Sequence, residues 1–508
     1  MQWLNKIVDE IIAAHPEGEI LIESGSSPSG AYHMGHLREL ITCDAILLEL
    51  RNRGRQAHHI AFVDDLDGLR KIPGNVPAEF EQYLGRPLCD IPSPDGKAKS
   101  YSEFFLKSFR DAMKGLSIDV EFMRSHKKYR TGYFVPAIEK ALERADKARK
   151  ALQKISGRQL DDNWSPIQIM EDGYLKKRRF LAIDPKTKTL TYEDKAGQAK
   201  TTGYAKGEVK LDWRLDWPGR WWLMQIAVEP FGRDHASAGG SFETGVQIMK
   251  DVYEASPPLP VPYDFVNMAG DTKKMSASQG TGLNALSVVN ILPAEIVRYF
   301  MLRHAASKRL YFDPENGVSQ LIDEFAALIA KPDKTDGENQ LLEIVSNNIE
   351  PTVSRVPFTH LLASYQAALK DADKTLEIIR RTESDKLSVG DEEIIKRQLS
   401  YIDSWLKNWA PQDVKFELLD KPPKVIPEPE REYLQALAKK IESAPSDADG
   451  EWFHKAIYEL KDSSGMVPKQ LFTCLYKVLI GKDSGPRAGW FLSILPRDWL
   501  IKRLKLEA

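Results

Sequence analysis

Residues 19–38, EILIESGSSPSGAYHMGHLR, decide the fold. A short apolar run, Ile20-Leu21-Ile22, leads into a loop of small residues from Ser24 to Gly30. His33 and His36 follow, three apart, where a helical pattern begins. Met34, Leu37, Ile41, Ala45 and Leu48 recur at steps of three and four and predict one apolar helix face. Gly54, after Arg51-Asn52-Arg53, is a natural stop. The unit reads strand, tight loop, helix. In a parallel α/β sheet it aims a helix N-terminus and two imidazoles at a ligand above the strand ends, and a triphosphate is the first candidate. His-x-x-His alone also suits a core pair or a metal pair, so the loop carries the weight: it is small enough for backbone to approach an anion, and Gly30 is free in its backbone angles.

Composition narrows the class. The chain has 508 residues, 42% hydrophobic and 28% charged, which suits a globular protein of two to four structural units. A formal net charge of −2 argues against a histone-like binder and leaves room for a local RNA-binding patch. Cys43, Cys89 and Cys474 are far apart and form no CxxC pair, which fits a reducing cytosol and gives no zinc-knuckle pattern. There is no signal-peptide pattern and no apolar run of transmembrane length, so a cytoplasmic protein without a membrane partner is expected.

Further along, His58 to Val63 reads as a core strand that runs into Asp64, Asp65 and Asp67. Acidic turns are commonly solvated surface; at this strand end, beside the phosphate loop, the three carboxylates point to an ammonium or ribose contact. A helix is expected over 98–115, a strand over 118–122 and a long charged helix over about 132–155. Residues from about 158 to 210 change to Thr-, Tyr- and Lys-rich pieces punctuated by glycine, which reads as a small β-rich insertion. Its basic run Lys176-Lys177-Arg178-Arg179 is a solvated hairpin or, less commonly, an RNA contact. Four tryptophans then fall between Trp213 and Trp222, as core packing or as a ligand wall. A strand is expected over 223–228, followed by Gly232-Arg233-Asp234-His235 on the ligand side, a helix over about 241–253 and a strand over 261–265. The polar loop Asp271 to Gly280 carries lysines and hydroxyls suited to clamping a polyphosphate. From about Ser287 the pattern is helical almost throughout, with apolar series at Tyr433, Leu434, Leu437 and Ile441, at Phe453, Ile457 and Leu460, and at Trp499, Leu500 and Leu504.

SPSGAYHMGH and KMSASQG, about 240 residues apart, together resemble the HIGH and KMSKS signatures of class I aminoacyl-tRNA synthetases. The finer resemblance is to class I lysyl-tRNA synthetases of the archaeal type. It rests on PSGAYHMGHLRE at Pro28–Glu39, FVDDLDGLRKIP at Phe62–Pro73, DWPGRW at Asp216–Trp221, FGRDHASAGGSFETG at Phe231–Gly245, PVPYDF at Pro260–Phe265, and GPRAG with IKRL between Gly485 and Leu504. It covers nearly the whole chain and is weakest over 158–210 and 340–420.

The resemblance implies a Rossmann-type parallel-sheet catalytic domain over 1–285 with the insertion at about 158–210. A stem-contact connecting region over 286–345 and an all-α anticodon-binding cage over 346–508 complete it. It implies activation of L-lysine by ATP to lysyl-adenylate and transfer to the 3′ end of tRNA(Lys); a monomer is expected. His33 and His36 would stabilise in-line attack on the α-phosphate, with Pro28, Gly30 and Gly35 along the ATP. Lys274, Ser276 and Ser278 would hold the pyrophosphate, with Mg²⁺ sharing its charge. A lysine substrate needs carboxylates for its amines and an apolar wall for its stem. Asp64, Asp65, Asp67 and Asp234 offer charge, Trp222, Tyr263 and His235 offer walls and hydrogen bonds, and Gly30 allows close approach. Two departures stand out. The insertion lacks the paired cysteines that many relatives carry, so no structural zinc is expected. KMSASQG has Ala277 and Gln279 where lysines are common, leaving Lys274, beside Lys273, as the motif's ammonium. The rival readings are a glutamyl/glutaminyl-type synthetase, a synthetase-like protein that binds tRNA without charging it, and a small-molecule adenylyltransferase. Three aspartates favour an amine over a substrate carboxylate, and the long helical tail has no use in the last.

Overall fold

In the computed structural model the described residues are 1–160, 164–270, 283–383 and 386–507. Ile20–Ser26 forms strand β1, Ala57–Val63 β2 and Glu121–Arg124 β3. The insertion supplies β4 (Ile167–Glu171), β5 (Tyr174–Lys177), β6 (Arg179–Asp184), β7 (Thr189–Glu193), β8 (Ala199–Gly203) and β9 (Val209–Leu211). After it come β10 (Val228–Gly232), β11 (Leu259–Tyr263), β12 (Val266–Met268) and β13 (Leu310–Phe312). The main sheet has the order β11-β10-β1-β2-β3, and every pair in it is parallel. Chain order runs outward from β1 to β2 and β3, then returns to the other side of β1 as β10. That reversal opens a crevice at the carboxyl ends of β1 and β10, where open α/β sheets hold ligands.

The apolar run Ile20-Leu21-Ile22 forms a strand because parallel strands are covered on both faces. The register pairs Ser26 with Val63, so β1 and β2 end level, and Asp64 N–H donates to Ser26 O at 2.8 Å. The histidine helix, Met34–Asn52, is buried beyond the stripe read from its sequence: Leu40, Cys43, Ile46 and Leu47 are covered too, and Leu48 is half-buried. Two charges inside this packing are paired. Arg298 reaches Asp44 at 2.6 Å, and Arg38 donates to Ala305 O and Ala306 O at 3.1 Å.

Three expected elements differ. The tryptophan segment is a helix, Trp213–Met224, capped by the Asp212 carboxylate, which accepts from Arg214 N–H at 3.3 Å. Trp213, Trp217 and Trp221 recur every fourth residue on one helix face. Pro218 falls inside it and removes one backbone bond. The expected strand over 223–228 therefore starts only at Val228. The charged helix over 132–155 is two helices, Val135–Glu143 and Ala145–Ser156, broken at Arg144. The strand expected over 118–122 begins three residues later, at Glu121, because register with Ile60–Val63 rather than local alternation fixes an edge strand.

The insertion folds as two three-stranded antiparallel sheets, β5-β4-β9 and β6-β7-β8. Compactness divides the chain into two units: residues 1–289, 297–312 and 334–349, and residues 290–296, 313–333 and 350–508. The second is helical. In its core Leu434, Leu437 and Ile441 of Glu428–Glu442 join Phe453, Ile457, Leu471, Leu475, Leu500 and Leu504. Arg503, 1% exposed, anchors its last helix by donating to Val478 O at 3.2 Å and Asp420 O at 3.0 Å. Among the described residues no single helix is long and apolar enough to cross a membrane.

Candidate active site

The two histidines cap their own helix. His33 Nδ1 accepts Gly35 N–H at 3.1 Å, and His36 Nδ1 accepts His33 N–H at 3.1 Å. Each ring is thereby read as carrying its proton on Nε2, an assignment that follows from the hydrogen bonds. Burial pushes the His36 imidazole down to about 4, so it is neutral near pH 7. A Cβ at residue 35 would meet the His33 ring at 2.8 Å, so only glycine lets that imidazole fold over the helix start. Tyr32 stacks on Phe109 at 3.9 Å and meets His36 edge-on at 5.0 Å. Downstream, Met34 N–H donates to Leu283 O at 2.8 Å and Ala285 N–H to Tyr32 O at 3.0 Å. The described chain thus resumes, after residue 282, directly beside His33.

A cavity of about 390 Å³ opens at these strand ends. Ser27, Ser29, His33, Gly35 and His36 line one side, and Trp213, Trp217, Phe231 and His235 form an aromatic wall. The wall is continuous, with Trp217 and His235 centroids 5.5 Å apart and Trp213 and His235 5.9 Å apart. Glu39, Asp64, Glu229, Asp234 and Tyr263 bring acid and hydroxyl groups to the lining.

Glu39 has neutral partners: Gly25 N–H donates to Oε1 at 2.9 Å and the Tyr263 hydroxyl to Oε2. Burial raises its carboxyl to about 7, against the lowering effect of those bonds. A carboxylate so placed gains most from a mobile cation. Glu229 is the other deep acid. It accepts the indole N–H of Trp217 at 2.7 Å and of Trp221 at 2.8 Å, and burial with Glu23 nearby pushes it well up. Asp64 and Glu23 are also raised by burial, opposed by Arg220, whose Nη1 lies 3.1 Å from Asp64 and 3.4 Å from Glu23.

The aspartates after β2 separate. Asp64 lines the cavity. Asp65 is fully buried and turned into a clasp: Arg124 Nε donates to it at 2.7 Å, Ser125 Oγ at 3.0 Å, and His126 N–H at 3.0 Å. Burial alone would raise the Asp65 carboxyl; His126 and Arg124 hold it below its ordinary range. Asp67 meets Lys210 Nζ at 2.9 Å. Trp222 lies off the wall, stacked on Tyr253 at 5.3 Å with the Lys140 ammonium 5.3 Å from its ring. Pro28 and Gly30 are buried residues of the same loop whose serines line the cavity, and neither lines it. Lys274, Ser276 and Ser278, with Lys273, Ala277 and Gln279, lie outside the described residues.

Sequence reasoning missed Glu39, Glu229 and Arg220 as site groups, and among the four tryptophans it singled out Trp222 where Trp217 lines the cavity. Glu39 had a signal: it stands three residues after His36 and shares its helix face. Glu229 had another, an acid inside an apolar strand run, Ile226 to Phe231. Among the described residues no group of three or more His, Cys, Asp or Glu is arranged to hold a metal ion.

Residues 1–348 match the family model described as tRNA synthetases class I (K), and residues 399–507 match the anticodon binding domain. The lysine–tRNA ligase of Archaeoglobus fulgidus is 35% identical over 509 residues, covering 99% of both chains. That of Pyrococcus horikoshii is 34% identical over 523 residues, covering 100% of both. That of Methanosarcina barkeri is 32% identical over 531 residues, covering 99% of this chain and 97% of the relative.

Proposed function

The chain belongs to the class I lysyl-tRNA synthetases, and from that membership we propose how its cavity serves the ligation of lysine to tRNA. The substrate's side-chain ammonium meets Glu39, with Tyr263 fixing the carboxylate. Its aliphatic stem lies along Trp217 and His235, and Asp64 and Asp234 serve the α-amino end. The single observation behind this reading is Glu39: a cavity carboxylate, pushed up to about 7, whose hydrogen-bond partners are a backbone N–H and a phenol. An ammonium supplies the positive charge that neither of these two partners of Glu39 carries.

MgATP is the co-substrate. The α-phosphate sits at the start of the histidine helix, where His33 and the neutral His36 donate from Nε2 to oxygens that gain charge as the lysine carboxylate attacks. That carboxylate is the nucleophile, so no protein group forms a bond to substrate. The bond to pyrophosphate breaks as the acyl–phosphate bond forms. Lys274, Ser276 and Ser278 hold the leaving pyrophosphate. The terminal adenosine of tRNA(Lys) then takes the lysyl group and AMP departs. Residues 1–285 carry this chemistry, 286–345 contact the acceptor stem, and 346–508 hold the anticodon, where the match to an anticodon-binding domain supports the assignment. Lysine-dependent charging of tRNA by the purified chain, with glutamate and glutamine as controls, tests the reading; charging with either control instead of lysine overturns it.

A further inference from the structure

Lys210 is a buried ammonium that the chemistry above leaves unused. It sits on β9, the last strand of the insertion, with its side chain 1% exposed. Its Nζ lies 2.9 Å from Asp67 Oδ1, 3.1 Å from Asp216 Oδ2 and 3.9 Å from Asp64 Oδ1. The Tyr129 hydroxyl donates to Asp216 at 2.6 Å, and the Tyr129 ring lies 5.7 Å from the ammonium. This is the environment a bound lysine side chain needs, and the chain fills it with its own lysine.

The charge count gives that occupancy a purpose. Next to the cavity, five carboxyls, Glu23, Asp64, Asp67, Asp216 and Glu229, gather around two buried cations, Lys210 and Arg220, with the exposed Arg70 3.5 Å from Asp67. Buried carboxyls without a cation take up protons or attract one from solution. The substrate is such a cation, and Asp64 belongs both to this cluster and to the cavity lining.

We propose that Lys210 is a positioning residue of the amino-acid site: as a resident ammonium it holds Asp67 and Asp216 and favours the ionised form of Asp64 against burial, so that Asp64 can receive the substrate's α-amino group. This rests on the reading that the cavity holds lysine. The insertion thereby contributes to amino-acid binding although none of its described residues lines the cavity. Asp64 is faced by Asp67 from its own loop, Lys210 from β9, Asp216 and Arg220 from the tryptophan helix, and Tyr32 from the histidine loop, and it shares Arg220 with Glu23 of β1. Burial raises the Asp64 carboxyl, and Arg220 and Lys210 are the two cations that oppose it.

The test is steady-state lysylation of tRNA by the full chain carrying Lys210→Met or Lys210→Arg, with lysine KM and kcat measured from pH 6.5 to 8.5. Lys210→Met is expected to raise lysine KM about tenfold at pH 7, the effect of one pKa unit on a site acid, with a smaller change in kcat. The excess should shrink as the pH rises and Asp64 ionises, and Lys210→Arg should stay within about threefold of wild type. A folded Lys210→Met protein with wild-type lysine KM across the range overturns the proposal, because a purely structural lysine would lower thermal stability and leave that profile alone. Should Lys210→Met fail to fold, Asp67→Asn removes one partner of the ammonium from the loop after β2; a lysine KM unchanged at every pH overturns the proposal equally. A wild-type protein that does not use lysine defeats the underlying reading instead.

Discussion

His36 Nδ1 accepts the backbone N–H of His33 at 3.1 Å, so the same bond that caps the histidine helix leaves Nε2 as the protonated nitrogen of His36. The ring donates from a neutral state, its pKa pushed by burial down to about 4. His36→Ala is therefore expected to lower kcat about 100-fold, the effect of losing one preorganised donor to a developing oxyanion. The acid limb of the wild-type pH–rate profile should not titrate at the ordinary histidine value on account of His36. Single-turnover adenylate formation at saturating substrates, with tRNA present, measures this. A variant with wild-type rate would remove His36 from the reaction.

Glu39 sets the pH dependence of lysine binding. Its carboxyl titrates at about 7 in the fold and near 4.5 when unfolded. Between those values the folded protein holds a proton that the unfolded chain has lost. Stability from this group is therefore full below 4.5 and is lost as pH rises through 7. An ammonium binds the ionised form. Lysine affinity should improve up to about tenfold per pH unit below 7 and level off above it. Calorimetric titration with lysine from pH 5.5 to 8.5 reads this directly, and an affinity flat across that range contradicts it.

Asp64 and Asp65 are adjacent yet differ in what they support. Asp65→Asn breaks a buried clasp with Arg124, Ser125 and His126 and should cost on the order of 3–5 kcal/mol of stability. Asp64→Asn should leave the melting temperature closer to wild type and raise lysine KM. Thermal denaturation paired with lysine KM separates them. The reverse pattern, a stable Asp65→Asn protein with raised KM, would exchange their roles.

The tryptophans divide in the same way. Trp217 lines the cavity and donates to Glu229, whereas Trp222 stacks on Tyr253 away from it. Trp217→Ala is expected to raise lysine KM about tenfold or more, and Trp222→Ala to leave it within about twofold while lowering the melting temperature, through loss of a stack worth roughly 0.5–1.5 kcal/mol. Equal KM effects would place the wall elsewhere.

The strand-loop-helix unit was legible because its signals are local: Ile20-Leu21-Ile22 needs a covered strand, and Gly35 is demanded by the His33 ring beside it. The Asp64 position was legible too, as a residue directly past a core strand. What the sequence withheld depends on direction. Successive residues in a loop face different ways, so nothing local separates Asp64 from Asp65, whose partners Arg124, Ser125 and His126 lie about sixty residues on. Trp217 and Trp222 could be told apart only once the segment was known to be helical, since five residues rotate a side chain to another face. Glu39 was passed over because acidic residues on helices are commonly solvated. Its burial arises from Gly25 on β1 and Tyr263 on β11, contacts that no periodicity records.

The central claim, that Glu39 receives the side-chain ammonium of the amino-acid substrate, is tested most directly by lysine KM in tRNA lysylation by wild type and Glu39→Gln at pH 7.5. Wild type should charge tRNA with lysine. The variant, isosteric and uncharged, should show a KM raised about 100-fold or more, as removal of one partner of a buried charged pair implies, with kcat at saturating lysine within about tenfold. A Glu39→Gln protein with the wild-type lysine KM would contradict the account.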